Sequence, residues 1–232
     1  MPNPDLTPLP ATPAWTLSDI TALVLAGGRG MRMGGVDKGL QAFNGHAMAQ
    51  HAMQRLGAQQ GGHLHGIIIN ANRHTEQYQA LTLAAFKAEQ VVVVPDRDTE
   101  YAGPLAGFQA GLDVCRSALM LTVPCDSPLF PLDLAVRLLA ALTQADADMA
   151  VVQAPEAGRD GTVSLRSQPV FCLMRSAVAD SLHAFMAAGG RKVDAWTAQL
   201  RLVQVAFDLP TDDPRAFANA NTLDELRQLE SP

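Results

Sequence analysis

The sequence predicts an α/β fold built on a mostly parallel central sheet. Three observations carry this reading. Short apolar runs alternate with helix-forming segments through the first two thirds of the chain. The first apolar run opens directly into a glycine-rich stretch, and the next three end in Asn70, Asp96 and Asp126. Crossover helices between strands make a sheet parallel, and ligands of such sheets lie beyond the carboxyl ends of the strands.

Taken in order, Ile20–Leu25 reads as a buried first strand. Ala47–Leu56 has helix-forming composition and is closed by Gly57, and Gly66–Asn70 reads as a second buried parallel strand. Glu76–Phe86 is expected to be helical, and Val91–Asp96 to be a third strand with a carboxylate at its end. Pro104 suits the first turn of a helix running through Arg116. Leu119–Asp126 is a fourth strand, and Leu132–Ala145 an amphipathic helix with Leu132, Ala135, Val136 and Leu139 on one face.

The second half is less regular. Met149–Gln153 reads as a strand, Pro155–Ser167 as a polar loop or hairpin, and Gln168–Met174 as a strand returning to the core. Val178–Ala188 is expected to be a helix, Leu202–Phe207 a strand by its alternation, and Thr222–Leu229 a capped terminal helix with Asp224 and Glu225 in its first turn. No internal repeat or low-complexity tract interrupts the chain. Met1–Pro13 carries five prolines and neither a cationic nor an apolar core, so residues 1–18 are expected to form a disordered extension ahead of a single domain over 19–232.

At 232 residues, with 48% hydrophobic and 17% charged side chains, the chain can bury a full core. A net charge of −6 argues against general nucleic-acid binding, which needs a basic face. No apolar run approaches the roughly 20 residues that cross a bilayer. Three cysteines without repeating spacing suggest free thiols in a reducing cytosol, hence a cytoplasmic location. His63 and His65 lack a third ligand nearby, and no Ser-His-Asp or Cys-His pattern argues for covalent catalysis.

Chemistry concentrates in Leu25-Ala26-Gly27-Gly28-Arg29-Gly30-Met31-Arg32-Met33-Gly34-Gly35-Val36-Asp37-Lys38-Gly39-Leu40. Five glycines between Gly27 and Gly35 allow backbone N–H groups to converge on an anion, while Arg32 and Lys38 add fixed positive charge. A triphosphate is the expected guest. Neither standard glycine signature fits. The P-loop pattern fails because Lys38 follows Asp37 and no Ser or Thr follows it; the dinucleotide fingerprint lacks its third glycine, at Met33.

Other polar residues fall at or after strand ends. Asp126, in Val-Pro-Cys-Asp-Ser-Pro, can hold Mg²⁺ while waters and phosphate oxygens complete the octahedron, or it can cap a following helix. Asp96 follows a proline, as turn residues do, and Asn70 can read a nucleobase edge or cap a loop. Gly103 permits close backbone approach, and the helix from Pro104 offers a positive N-terminus to an anion.

The run Leu-Ala-Gly-Gly followed by Arg-Met-Gly-Gly-Val-Asp-Lys-Gly-Leu resembles the signature loop of the molybdenum cofactor guanylyltransferases, within the wider nucleotidyltransferase superfamily. Asn70-Ala71-Asn72-Arg73, Gly103-Pro104-Leu105-Ala106-Gly107, Val123-Pro124-Cys125-Asp126 and Asn219-Ala220-Asn221-Thr222 are similar to further segments of that family, so the likeness runs from about Ile20 to Leu229. It implies a Rossmann-like three-layer nucleotidyltransferase fold. It also implies Mg²⁺-dependent transfer of GMP from GTP to the molybdenum–molybdopterin cofactor, with release of pyrophosphate and no protein nucleophile.

On this resemblance, Leu25, Ala26, Gly27, Gly28, Lys38, Asn70, Asp96 and Asp126 contact GTP. Lys38, Arg32 and Asp126 support catalysis, with Asp126 on the metal; Arg32, Gly35, Gly103, Asn219 and Asn221 face the pterin. Asn221 serves equally well as an N-cap. Molybdoenzyme maturation proteins or apo-molybdoenzymes would be the partners, with neither nucleic acid nor membrane involved. The chain departs from the family in having Met31 before Arg32, where two arginines often stand, and Gly45-His46-Ala47 in place of Gly-Lys-Pro; the segment around Gln168-Pro169 matches loosely. Alternatives are a nucleotidyltransferase with another base or acceptor (a cytidylyltransferase of the same cofactor or a sugar-phosphate enzyme) and a non-catalytic carrier of GTP or cofactor.

Overall fold

The computed structural model describes residues 15–26, 37–81, 86–87, 90–97, 103–158, 161–220 and 222–230. One seven-stranded sheet unites segments from Ile20 to Ala206. Its strands are β1 (Ile20–Leu25), β4 (Gly66–Asn70), β5 (Val91–Val94), β6 (Leu119–Pro124), β7 (Met149–Ala157), β8 (Val163–Arg175) and β9 (Leu202–Ala206). Their order across the sheet is β5-β4-β1-β6-β8-β7-β9. β1 pairs in parallel with both β4 and β6, β4 with β5, and β7 with β9. Only β8 runs against its neighbours.

The strands are parallel because helices connect them. α1 (Met48–Gly57) lies between β1 and β4 in sequence, α3 (Pro104–Val114) between β5 and β6, and α4 (Leu134–Gln144) between β6 and β7. α2 (Thr75–Gln79) follows β4, while α5 (Ala179–Ala187) and α6 (Val193–Thr197) follow β8. β8 is antiparallel because it leaves β7 through a short turn in which Gly158 N donates to Thr162 O and Gly161 adopts a φ of +79°. A connection that short joins only antiparallel strands. Beyond Cys172, the β7–β8 pairing jumps from Val151–Cys172 to Val152–Gln168. Pro169, which has no N–H for the ladder, lies within that irregularity.

Alternate residues of β1 feed two cores, as strand periodicity requires. Ile20, Ala22 and Val24 pack with Ala49, Ala52, Met53 and Leu56 of α1 and with Leu134, Leu138 and Leu142 of α4. Leu23 packs on the other face with Phe108 and Leu112 of α3, Leu182 and Met186 of α5 and Trp196 of α6. The result is the three-layer helix–sheet–helix arrangement expected from the sequence. Each fully buried aliphatic or aromatic side chain contributes about 1.5–3 kcal/mol.

Three local features differ from expectation. The helix expected over Glu76–Phe86 is the shorter α2, beginning at Thr75 and capped at Ala80, and Phe86 lies in a bend. A small hairpin, β2 (Ala42–Phe43) with β3 (His46–Ala47), precedes α1; its turn residues Asn44 and Gly45 both take positive φ, as a type I′ two-residue hairpin turn requires. Trp15–Ser18, assigned by sequence to the extension, pack onto the domain. Leu17 is buried, Thr16 and Asp19 form a reciprocal capping box, and the Arg175 guanidinium lies over the Trp15 ring. Among the described residues no helix is long and apolar enough to cross a membrane. The terminal helix α7 (Leu223–Glu230) is capped as expected, with Thr222 Oγ1 accepting from Glu225 N at 3.1 Å and Thr222 N donating to Glu225 Oε2 at 3.2 Å.

Candidate active site

The carboxyl ends of β1, β4, β5 and β6 lie side by side, and the chain leaving each one carries a polar residue. Parallel pairing sets their level: Leu25 is in register with Asn70 and with Pro124, and Asn70 with Val94. Beyond the strands the segments remain joined. Ala26 N donates to Asn70 O at 2.8 Å, Cys125 N to Leu25 O at 3.0 Å, and Ala71 N to Val94 O at 2.9 Å. The candidate residues are therefore held by backbone, before any side chain acts.

Two polar groupings form on this platform. In the first, Asn70, which is 3% exposed, donates from Nδ2 to Asp96 Oδ1 at 2.8 Å. Asn72 donates from Nδ2 to Asp96 Oδ2 at 2.7 Å, and its Oδ1 accepts from Asp96 N at 2.7 Å. Asp96 is thus fixed by side chains from the end of β4, more firmly than a routine turn residue would be. α3 crosses closely here. A Cβ placed on Gly107 would lie 2.5 Å from Leu25 Cδ2 and 2.7 Å from Asn70 Oδ1, so only glycine lets the helix come this near.

In the second, Lys38 opens a 3-10 turn over Lys38–Leu40 and sends its Nζ to within 3.1 Å of Asp126 Oδ2. Asp126 stands in the turn after β6 and caps no helix, since α4 begins at Leu134 behind Asp133. The carboxyl-terminal segment docks on the same turn. Ala220 N donates to Asp126 O at 2.8 Å, and buried Ser127 donates from Oγ to Asn219 Oδ1 at 2.5 Å. Asn219 itself is an exposed residue whose amide oxygen is turned to Ser127. Cys125 is buried next to this pair; burial pushes its thiol well up, the Asp126 and Asp37 carboxylates add to the effect, and Lys38 partly offsets it. It is a protonated packing residue at neutral pH, not a nucleophile.

Gly103 stands at the head of α3 with φ +68° and ψ −154°, a conformation that needs glycine, and a Cβ there would meet nothing within 4 Å among the described residues. Gly27, Gly28, Arg32, Gly35 and Asn221 lie outside the described residues. The structure brings Leu25, Ala26, Lys38, Asn70, Asp96, Asp126 and Asn219 to one edge of the sheet.

Sequence reading gave no role to Asp37, Asn72, Tyr78 or Gly107. Asn72 and Gly107 stand inside the quoted motifs, where their neighbours drew the attention. Tyr78 carries no local signal, for its partner Asp37 is 41 residues away.

The donor set bears on a metal. Mg²⁺ keeps its waters and is bound through one or two carboxylates plus substrate phosphates, so the partly exposed Asp126 carboxylate at this edge fits it. Among the described residues no group of three or more His, Cys, Asp or Glu could hold an ion without a nucleotide.

Comparison with known proteins gives the family. A family model described as the MobA-like NTP transferase domain matches residues 22–204. The molybdenum cofactor guanylyltransferase of Albidiferax ferrireducens is 56% identical over 213 residues, covering 92% of this chain and 96% of the relative. That of Ralstonia nicotianae is 52% identical over 212 residues, covering 91% and 96%. Among solved structures, molybdopterin-guanine dinucleotide biosynthesis protein A from Archaeoglobus fulgidus superposes with a TM-score of 0.67 at 19% identity, covering 90% of this chain and 96% of the other. 4-diphosphocytidyl-2C-methyl-D-erythritol synthase from Anaerococcus prevotii gives 0.67 at 12% identity, with 91% and 94% covered. At such identities the two superpositions speak for the fold alone.

Proposed function

The chain belongs to the MobA-like NTP transferase family, and from that premise we propose that it transfers GMP from GTP to the molybdenum–molybdopterin cofactor, forming the guanine dinucleotide and releasing pyrophosphate. The observation that carries the reading is the pairing of Lys38 with Asp126 on the same sheet edge as the Asn70–Asp96 grouping, a cation and two carboxylates beyond the ends of parallel strands; we read Lys38 as facing the phosphates and Asp96 the base. The names of relatives above 50% identity supply the substrates.

In this reading the backbone N–H groups of Gly27, Gly28 and the residues that follow them hold the triphosphate, Leu25 and Ala26 border the nucleotide, and Lys38 and Arg32 balance its charge. Asp96, held by Asn70 and Asn72, accepts from the N1–H and exocyclic amine of guanine. Adenine and cytosine present an acceptor at the corresponding ring nitrogen, so the carboxylate repels them. The terminal phosphate of the pterin attacks the α-phosphorus in line, and the bond to pyrophosphate breaks. Gly103, Asn219 and Asn221, with Arg32 and Gly35, border the acceptor. Asp126 would hold Mg²⁺, which supplies charge stabilisation at the transferring phosphate. No side chain forms a covalent intermediate, so rate comes from positioning and electrostatics. A cytosolic setting with reduced thiols, and delivery of product to molybdoenzyme maturation proteins or apo-molybdoenzymes, belong to the same reading.

The test is pyrophosphate release with molybdenum–molybdopterin and Mg²⁺, comparing GTP, CTP and ATP. Release with GTP alone is expected. Release with CTP would move the protein to a cytidylyltransferase, and GTP binding without release would make it a carrier.

A further inference from the structure

Resting on the role given above to Lys38, we propose that Tyr78 and Asp37 form a positioning clamp that sets Lys38 for the triphosphate. Tyr78 is fully buried, and its hydroxyl donates to Asp37 Oδ1 at 2.5 Å; Asp37 is 6% exposed. An apolar filler at position 78 would need no hydroxyl, and a carboxylate so deeply placed is costly without a donor. The bond therefore serves the segment that Asp37 begins.

The same ring fixes the other side of Lys38. A Cβ on Gly39 would lie 2.3 Å from the Tyr78 hydroxyl oxygen and 3.1 Å from Cε1 and Cζ, so the chain at Gly39 abuts the edge of the phenol beside its hydroxyl. Lys38 is held between two residues seated on one side chain. The turn itself is closed by Leu40 N to Asp37 O at 3.3 Å and Gln41 N to Lys38 O at 3.0 Å, and Met48 N to Gln41 O at 2.9 Å ties it to α1. The backbone of Lys38 is thus anchored, and its side chain spans the distance to Asp126.

Tyr78 also belongs to α2, which follows the strand ending in Asn70. One short segment supplies both the base-side Asn70 and the residue that seats the phosphate-side cation. The ribose limits how far base and triphosphate can stand apart in a nucleotide, so coupling the two halves of the site through α2 holds their spacing in the protein. Neither Tyr78 nor Asp37 touches substrate in this account; both act through Lys38.

A double-mutant cycle tests the clamp, with kcat, KM for GTP and melting temperature measured for Tyr78→Phe, Asp37→Asn and Asp37→Ala, and for Tyr78→Phe combined with Lys38→Ala. GTP titration supplies the same cycle where turnover is too slow. Tyr78→Phe should lower kcat/KM about tenfold when Lys38 is present and by less than about twofold when it is absent. Asp37→Asn, which retains an accepting oxygen, should recover most of the activity lost in Asp37→Ala. Equal losses in both backgrounds, tracking melting temperature, would reduce Tyr78 to a packing residue and overturn the clamp, as would unchanged kinetics in Tyr78→Phe. Lys38→Ala alone tests the site reading: wild-type kinetics there would remove Lys38 from the site and the clamp with it.

Discussion

The Lys38 ammonium and the Asp126 carboxylate, 88 residues apart in sequence, meet at 3.1 Å with each side chain only 19% exposed. Each neutralises the other at a place where an isolated charge would be poorly solvated. In the proposed function a metal-bound triphosphate would bring the complementary charges, anion to Lys38 and cation to Asp126. The pair can therefore exchange partners without leaving either charge uncompensated.

Asp126→Asn and Lys38→Ala should each reduce turnover at least about 100-fold. The folded protein should persist with a loss of about 1–2 kcal/mol, since one partner of a half-buried pair is left alone. Pyrophosphate release and thermal melting measure the two effects separately. Chelation of divalent cations should abolish release by the wild type. Near-normal turnover of Asp126→Asn would take that residue out of the metal role.

Asp96→Asn should act on base choice. The variant replaces an acceptor-only group with an amide that both donates and accepts. The kcat/KM for GTP should fall about 100-fold, mostly through KM, and preference over ATP should narrow. Asn72→Ala should give a smaller change in the same direction, because Asn72 holds the Asp96 carboxylate and its N–H. Steady-state kinetics with GTP and ATP decide this; unaltered discrimination in Asp96→Asn would place base recognition elsewhere.

Gly107→Ala introduces a methyl 2.5 Å from Leu25 Cδ2 and 2.7 Å from Asn70 Oδ1. Overpacking of this kind costs about 1–3 kcal/mol. Because Asn70 must move, KM for GTP should rise along with the loss of stability. Denaturant unfolding and kinetics on the same preparation check both. A stability loss without a change in KM would show that Leu25 alone gives way.

Arg137 of α4 holds the chain after β9. Its guanidinium pairs with Asp212 at 2.8 and 3.2 Å, donates to Ala206 O at 2.6 Å and lies 3.6 Å over the Phe207 ring. Burial pushes the Asp212 carboxyl up, but the Arg137 hydrogen bonds and the Leu209 N–H outweigh it, and its pKa ends below the ordinary value. A carboxylate with a depressed folded pKa stabilises the protein above its unfolded pKa of about 4, and that contribution is lost as pH falls through the folded value. Asp212→Asn should therefore weaken the protein at pH 7 and flatten the acid side of its stability curve. Arg137→Ala should cost about 2 kcal/mol. Unfolding midpoints between pH 3 and pH 7 provide the measurement, and parallel wild-type and Asp212→Asn curves would contradict it.

The sequence by itself determined the parallel core and which polar residues gather beyond its strand ends. Ile20–Leu25, Gly66–Asn70 and Leu119–Pro124 are apolar runs bounded by polar or glycine residues, and burial on both faces leaves them no reading but central strands. Since parallel strands present their carboxyl ends together, Asn70, Asp96 and Asp126 could be grouped without coordinates. Local chemistry also marked the Thr222 cap and the start of α3 at Pro104.

Only the tertiary structure decided which of these groups touch, and through what. The brief α2 and the antiparallel course of β8 depend on packing and on a short turn, which helix propensity and periodicity do not report. Asp126 lost its helix-capping alternative only when α4 was seen to begin behind Asp133. Tyr78 lies far in sequence from Asp37 and sits in an unremarkable helix, and nothing near it announces a partner. Periodicity and motifs record what a residue needs from its neighbours along the chain. Which buried hydroxyl meets which buried carboxylate is set by how the helices settle on the sheet, a long-range outcome that no local pattern encodes.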